Sequence, residues 1–251
     1  MERGEYERLA AAEERMWWFR ALHRNLIRIW SAMAPSGAGD GRSLRLLDAG
    51  CGTGGLLARL GASGGAFRAG IDRDDLACRL ARSKAGAAIV QGLIDALPFA
   101  DQVFDVVFSA DVLCHSGVDQ LAALREMRRC LKPGGLLVLN LPAYRWLFSA
   151  HDRAVDNARR YARAEVARLM EAAGFVRIRT SYWNTLLFPL MVARRKLAAV
   201  GDASDVALLP QPLEWLLAAV AAGESRLLAR LFAWGLRLPF GGSILAAGVR
   251  P

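Results

Sequence analysis

A glycine-rich turn carries the strongest chemical signal in the sequence. Residues 47–55 read LDAGCGTGG, at the end of a short hydrophobic segment and before a predicted helix. Glycine reaches backbone angles that other residues resist, and without a Cβ it lets a ligand approach the main chain. The N–H groups at the start of the following helix can bind an anionic group. We therefore expect a ligand site at this turn, with Asp48 at its edge.

Two classes of cofactor fit such a turn. Gly50, Gly52 and Gly55 satisfy the GxGxxG pattern, and Asp72 lies at about the right distance for a dinucleotide ribose, which would make the protein an NAD(P)-dependent oxidoreductase. Asp48 indicates otherwise, because a carboxylate at that position suits an ammonium group better than a pyrophosphate. S-adenosylmethionine carries an ammonium, a carboxylate and a sulfonium but no phosphate. Asp48 therefore favours S-adenosylmethionine, and the oxidoreductase is the alternative.

The same turn and four later segments resemble, in order, the class I S-adenosylmethionine-dependent methyltransferases of the type 11 group. The turn fits the DxGxGxG pattern of that family. The matching segments are DAGCGTG at 48–54, GID at 70–72, GLIDALPF at 92–99, FDVV at 104–107 with DVLCH at 111–115, and LKPGG at 131–135. The resemblance implies a methyltransferase, and a protein that binds the cofactor without turnover is a second alternative.

The resemblance also implies a set of cofactor-binding residues. Asp72 would accept hydrogen bonds from the ribose diol, and residues 92–99 would form the adenine loop. Many relatives carry an acid where this chain has Leu93, so the adenine amine would instead meet Asp95 or a backbone carbonyl. The expected cofactor-binding residues are Asp48, Gly50, Cys51, Gly52, Gly54, Asp72, Arg73, Leu93, Ile94, Ser109 and Ala110.

Strands and helices alternate from residue 44 onward, which predicts an α/β fold with a parallel sheet covered on both faces. The resemblance implies a Rossmann-like, seven-stranded sheet of order 3-2-1-4-5-7-6 with the last strand antiparallel. The predicted strands are 44–48, 67–72, 88–91, 104–109, 136–141, 175–180 and 243–249. The predicted helices between them start at 56, 74, 118 and 163, and a tight turn is expected at 132–135.

The chain ends carry two further helical units. Residues 1–34 are predicted to form an amino-terminal helical cap, separated by a loop at 35–42 from a methyltransferase domain at 43–251. A helical insertion or lid is expected at about 184–240, between strands six and seven. Its two apolar helices, 185–200 and 213–234, are separated by a loop.

The segment after the fifth strand is the predicted acceptor side, because ligands of such sheets meet the carboxyl ends of strands. His151, with Asp152, is the candidate base, although the pair could instead cap the next helix. His115 is a further candidate base or a pocket wall. A base is needed only where the acceptor loses a proton. The expected acceptor-binding residues are Trp18, Tyr144, Arg159, Arg160 and Tyr161, with an arginine reading an anionic group.

The aromatic run at 17–19 supports two interpretations, a cover over the sulfonium or simple packing of the first helix. The apolar insertion likewise supports a lid over the acceptor or a peripheral membrane contact in which arginines meet anionic lipid. The resemblance implies a small-molecule, glycan or lipid-linked acceptor, methylated on oxygen or carbon.

Composition bounds the remaining possibilities. The 251 residues are 54% hydrophobic, which favours a folded chain with a sizeable core over a disordered one, and the net charge is +9. The four cysteines lack metal-ligand spacing, so we expect no metal and a reducing, cytoplasmic compartment. The sequence contains no stretch of about 20 apolar residues, so no membrane-spanning helix is expected. A separate basic recognition module is also missing, so a nucleic-acid partner is not expected, and the oligomeric state is left open.

Overall fold

A seven-stranded sheet forms the centre of the protein. The computed structural model describes residues 10–13, 15–33, 43–62, 65–197 and 209–251. The strands are β1 (Arg45–Ala49), β2 (Phe67–Asp72), β3 (Ala88–Gln91), β4 (Phe104–Ala110), β5 (Leu131–Pro142), β6 (Val176–Trp183) and β7 (Ser243–Val249). Their order is β3-β2-β1-β4-β5-β7-β6, and β7 runs antiparallel to β5 and β6. The predicted fold class and strand order are therefore confirmed.

Helices cover both faces of this sheet. They are α1 (Trp17–Met33), α2 (Gly55–Gly61), α3 (Asp75–Ala85), α4 (Gln120–Cys130), α5 (Ala150–Ala154), α6 (Arg163–Ala172), α7 (Phe188–Leu197) and α8 (Gln211–Ala233). Local chemistry sets where some of them begin. The Asp74 side chain accepts hydrogen bonds from Leu76 N and Ala77 N, and Asp119 caps α4 in the same way.

The strands are apolar on both faces because each face packs under helices. On one face, Leu47 and Val107 belong to a core with α4 and α6. On the other face, Leu46 and Phe108 pack against α1, α2 and α8. Successive side chains of a strand point to opposite faces, so near-continuous hydrophobic runs are what a doubly covered sheet requires.

Two regions differ from the sequence prediction. The turn expected at 132–135 lies within β5, because Leu131 already pairs with Phe104 before the register shifts and pairing resumes at Leu136. The segment expected to be a loop after β5 contains a 3₁₀ turn, Arg145–Leu147, and the short helix α5. Too few residues form either element for a hydrophobic period to show in the sequence.

The amino-terminal helix and the insertion are joined by buried acids. Trp17 N, at the start of α1, donates to Glu214 of α8 at 2.8 Å. Glu224 of α8 accepts from the N–H groups of Thr185 and Leu186, which fixes the segment leading into α7. α1 and α8 thus cover one sheet face together. The predicted loop at 35–42 lies outside the described residues, as do residues 201–208 of the loop predicted at 201–212, and α8 already begins within the end of that loop.

Candidate functional site

The turn after β1 has the backbone that its glycines allow. Gly50, Gly52 and Gly54 have φ angles of 86°, 50° and 86°, which lie in the left-handed region. The N–H groups of Gly50 and Cys51 both donate to Ile71 O of β2, at 2.8 and 2.9 Å. The turn is therefore anchored to the neighbouring strand. A Cβ at Gly52 would meet no heavy atom within 4 Å, so main chain is open to the cavity there.

Three carboxyl groups line the cavity beside this turn. Asp48 is buried, and its pKa is raised well above the usual range by burial, with further contributions from Glu13 and Asp72. Burial also raises the pKa of Asp72, although its carboxylate accepts hydrogen bonds from Gly52 N and Asp74 N. The floor of the site is thus acidic, and a cation would stabilise the ionised form of Asp48.

Glu13 is a site residue that no sequence motif indicated. Its carboxylate accepts from Thr53 Oγ1 at 2.5 Å and pairs with Lys84 Nζ at 3.0 Å. A Cβ at Gly55 would lie 2.1 Å from Glu13 Cδ, so a larger residue there would displace the acid. The segment before α1 is therefore anchored on the glycine turn, about 40 residues away in the chain.

A cavity of about 620 Å³ connects the turn with the helices above it. It brings together most of the predicted site residues. Those in its lining are Asp48, Gly50, Cys51, Gly52, Asp72, Arg73, Leu93, Ile94, Ala110, His115, His151, Arg160 and Trp18. The predicted residues outside its lining are Gly54, Ser109, Tyr144, Asp152, Arg159 and Tyr161.

Asp152 occupies a structural position. It is fully buried, and Ser149 N donates to it at the start of α5. Arg160 Nε donates to both of its carboxylate oxygens, at 2.9 and 3.0 Å. The second interpretation made from the sequence, helix capping, therefore describes this acid. Arg160 lines the cavity with its charge already paired, so it is a weak candidate for reading an anionic acceptor.

The other acceptor residues that the structure places away from the cavity have partners of their own. Arg159 contacts Glu165 and Gln120 and lies over the ring of Tyr161. Tyr161 is fully buried and donates its hydroxyl to Leu113 O. Tyr144 stacks on Tyr182 with ring centroids 5.1 Å apart. These contacts give the three residues a structural role in packing the segment after β5.

Two predicted cofactor residues outside the lining support the turn from behind. Ser109 is buried and donates its hydroxyl to Ala49 O at 2.8 Å, which ties β4 to the end of β1. A Cβ at Gly54 would lie 2.9 Å from Ala81 Cα, so this glycine lets α3 approach the turn. Both residues shape the site without facing its contents.

All three histidines line the cavity, but their surroundings differ. His115 Nδ1 lies 3.3 Å from Asp156 O, and burial lowers the pKa of its imidazole. A neutral imidazole is the form that can accept a proton. His151 lies on α5 and also reaches the cavity. Both histidines keep their place among the candidate bases. His23 lines it too, but burial lowers its pKa to about 3, in keeping with a structural position.

Asp111, directly after β4, is a second residue that the sequence prediction did not assign. Its backbone has a φ of 55°, and it lines the cavity. Asn140 Nδ2 donates to both of its carboxylate oxygens, at 3.0 and 2.9 Å. Burial raises the pKa of Asp111 to about 7, against the opposing effect of the Asn140 hydrogen bond. An acid at the carboxyl end of a parallel strand was the available signal.

The opposite wall of the cavity is apolar and comes from the helices. Trp17, Trp18 and Leu22 contribute from α1, and Trp18 stacks on Trp183 of β6 with centroids 6.0 Å apart. α7 and α8 contribute Leu190, Met191, Leu213 and Leu217. The first helix and the insertion therefore line the same space as the glycine turn.

The residues present fit S-adenosylmethionine better than a dinucleotide. A pyrophosphate beside Asp48, Asp72 and Glu13 would meet like charges, whereas an ammonium and a sulfonium would meet opposite ones. Asp48 and the open main chain at Gly52 would hold the methionine portion, and Asp72 the ribose. The fold and this acidic turn together define a Rossmann-like domain built for a cationic nucleoside.

Comparison with known proteins identifies that domain. Residues 47–139 match the family model of a methyltransferase domain. The chain is 35% identical over 172 residues to malonyl-[acyl-carrier protein] O-methyltransferase of Erwinia pyrifoliae, covering 65% of this chain and 64% of that one. It is 34% identical over 123 residues to a ubiquinone/menaquinone biosynthesis C-methyltransferase of Idiomarina loihiensis, covering 45% and 48%.

A solved structure extends the likeness to nearly the whole chain. An S-adenosylmethionine-dependent methyltransferase of Thermotoga maritima superposes with a TM-score of 0.59 at 19% identity, covering 99% of this chain and 95% of that one. At that identity the match shows the fold. Residues 47–139 are therefore a methyltransferase domain of the family that the matching family model describes, and the sequence relatives and the fold agree with the S-adenosylmethionine-dependent class. The chain spans less than two thirds of the length of the curated relatives it matches.

Proposed function

We propose that this protein transfers a methyl group from S-adenosylmethionine to oxygen or carbon of an apolar small-molecule or lipid-linked acceptor. One observation carries the proposal. A single cavity has the acidic glycine turn at one end and the apolar side chains of α1, α7 and α8 at the other. Relatives whose names specify O- and C-methyltransferases support the same reaction class.

Different parts of the cavity would bind the cofactor and the acceptor. S-adenosylmethionine supplies an activated methyl group, so the protein mainly aligns the acceptor and keeps water out. Asp48, Asp72 and the main chain of the turn hold the cofactor. Trp18 and the leucines of the insertion exclude water and hold the apolar part of the acceptor. The insertion therefore acts as a lid, and the 1–34 segment as a cap, over the 43–251 domain.

Transfer of labelled methyl tests the function directly. Purified protein is incubated with S-adenosylmethionine labelled in the methyl group and with fractionated cell extract, which is then split into aqueous and lipid phases. We expect label to accumulate in the lipid phase, because the acceptor end of the cavity is apolar. Binding of S-adenosylhomocysteine without label in any fraction would contradict an enzyme and favour a protein that only binds the cofactor.

We also propose a peripheral membrane contact through the insertion. Among the described residues, no helix is long and apolar enough to cross a membrane. Several large apolar side chains of the insertion are nevertheless exposed, with Trp215 and Trp234 the most exposed at 74% and 75%. Exposed aromatic residues on a surface helix are typical of interfacial binding. A membrane surface would also present a lipid-linked acceptor.

Liposome flotation tests that contact. Protein should float with vesicles that contain anionic phosphatidylglycerol at low salt. Replacing both Trp215 and Trp234 with serine should reduce the floating fraction severalfold, because each Å² of apolar surface removed from the contact costs about 25 cal/mol of binding free energy. The double variant should bind S-adenosylhomocysteine normally, because neither tryptophan lines the cavity. Wild-type protein that stays entirely with the soluble fraction would contradict the contact.

A further inference from the structure

A buried relay of hydrogen bonds holds one carboxylate at the cavity wall. Trp183 Nε1 of β6 donates to Asn140 Oδ1 of β5 at 2.6 Å. An indole N–H can only donate, so the amide oxygen of Asn140 must face Trp183 and its Nδ2 must face Asp111. Asn140 and Trp183 are almost fully buried. The relay therefore fixes the orientation of the amide that holds Asp111.

The main chain fixes Asp111 as well. Asp111 N donates to Asn140 O at 2.9 Å, so the same residue of β5 holds both the backbone and the carboxylate. One amide nitrogen donates to both carboxylate oxygens. A carboxylate offers about four lone-pair sites, so this contact leaves acceptor capacity on Asp111. Asp111 directly follows the carboxyl end of β4 and lines the cavity, as do Pro142, Asn184 and Ser243.

We infer that Asp111 is the catalytic base, accepting the proton that the methyl acceptor loses. The inference rests on the proposed function and names the residue that its O- or C-methylation would require. The X–H bond of the acceptor, where X is oxygen or an acidic carbon, breaks, and its electron pair stays on X. The proton moves to a carboxylate oxygen of Asp111, which becomes a neutral acid and later returns the proton to water. No further reactant is needed.

The surroundings of Asp111 suit that task. Its pKa of about 7 lies where a general base is most effective near neutral pH. Burial raises the pKa, whereas the Asn140 hydrogen bond and Arg160 lower it and Asp152 raises it slightly. Cys114 interacts electrostatically with Asp111, and burial keeps its thiol protonated. His115, His151 and Asp156 are further titratable groups in the lining of the same cavity.

Substitution of Asp111 distinguishes it from the other candidate bases, His115 and His151, which line the same cavity. Asp111→Asn keeps a group of the same shape but removes the proton acceptor. We expect it to lower the rate of label transfer about 100-fold or more, within the usual range for a general base. Affinity for S-adenosylhomocysteine, measured by calorimetry, should stay within about threefold, a difference under 1 kcal/mol. Asp111→Glu should recover part of the rate.

Controls and a second readout make the test decisive. Asp101→Asn, an exposed acid paired with Arg129 outside the cavity, should leave the rate unchanged. The wild-type rate should fall on the acid side with a midpoint near pH 7, and ¹³C-labelled aspartate should show one carboxyl titrating there that Asp111→Asn lacks. An unchanged rate in Asp111→Asn would overturn the inference, as would an equal loss of cofactor affinity, or an acid limb that only His151→Ala removes.

Different results would contradict the methyltransferase activity and the role of Asp111 as its base. Label transfer that Asp111→Asn leaves intact removes the inference and keeps the methyltransferase. Wild-type protein that labels no fraction removes both. A carboxyl of Asp111 that titrates in the ordinary aspartate range would also overturn the inference, because so weak a base accepts a proton poorly at neutral pH.

Discussion

Replacing Gly50 with alanine should weaken cofactor binding about 100-fold or more. A Cβ at this position would lie 2.2 Å from Val112 Cγ2, far inside van der Waals contact. The residue also has a φ of 86°, where a side chain costs about 1–2 kcal/mol. Overpacking adds about 1–3 kcal/mol. The free protein can relieve these costs by shifting the turn, and cofactor binding must then restore it, so we expect affinity for S-adenosylhomocysteine, measured by calorimetry, to fall about 100-fold or more.

Two variants separate the collision from the backbone strain. Gly134→Ala has a φ of 76° and no heavy atom within 4 Å of the added Cβ, so it carries the strain alone and lies outside the cavity lining. It should lower the melting temperature slightly and leave affinity unchanged. Combining Gly50→Ala with Val112→Ala removes the two closest atoms and should restore part of the affinity. Normal binding by Gly50→Ala alone would show that the turn does not hold the cofactor.

The fold was accessible from the sequence because its signals are local. The predicted bounds of β2, β3 and β7 match the structure, because each strand is a short segment of mainly apolar residues. Strand order was not readable from periodicity and came with the family resemblance. The 3₁₀ turn and α5 were missed because one turn of helix leaves no period to detect.

The site was accessible only where its parts lie close together in the chain. The glycine turn is one continuous segment, and both Asp48 and Asp72 stand at strand ends near it. Glu13 reaches Thr53 across 40 residues, and that contact depends on how the amino-terminal segment packs. Arg160 was predicted to bind an anionic group of the acceptor, but its charge pairs with buried Asp152 through a tertiary contact. Charge pairing of this kind is decided by three-dimensional packing.

Asp48→Asn should weaken cofactor binding and remove the pH dependence that this acid gives to it. Without a ligand the carboxyl is buried beside Glu13 and Asp72, which raise its pKa together with burial. A cationic cofactor favours the ionised form, so binding must displace a proton. Wild-type affinity for S-adenosylhomocysteine should therefore rise with pH, and calorimetry should detect proton release. Asp48→Asn should bind about 100-fold more weakly and lose the pH dependence that comes from Asp48, because the ammonium loses a buried partner.

The stability of the ligand-free protein should move in the opposite direction. The folded-state pKa of Asp48 lies above its unfolded value of about 3.9, so the stabilisation it gives is complete below that pH and is lost as pH rises through the folded pKa. At pH 8, Asp48→Asn should therefore melt at a higher temperature than wild type although it binds the cofactor worse. Asp75→Asn, which removes an exposed pair with Arg79, should change neither quantity appreciably. Removing the charge should raise the melting temperature only where the carboxylate is held desolvated, at a cost in stability, in order to bind a cation. A variant that melts lower and binds normally would therefore show that Asp48 supports the fold and not the ligand.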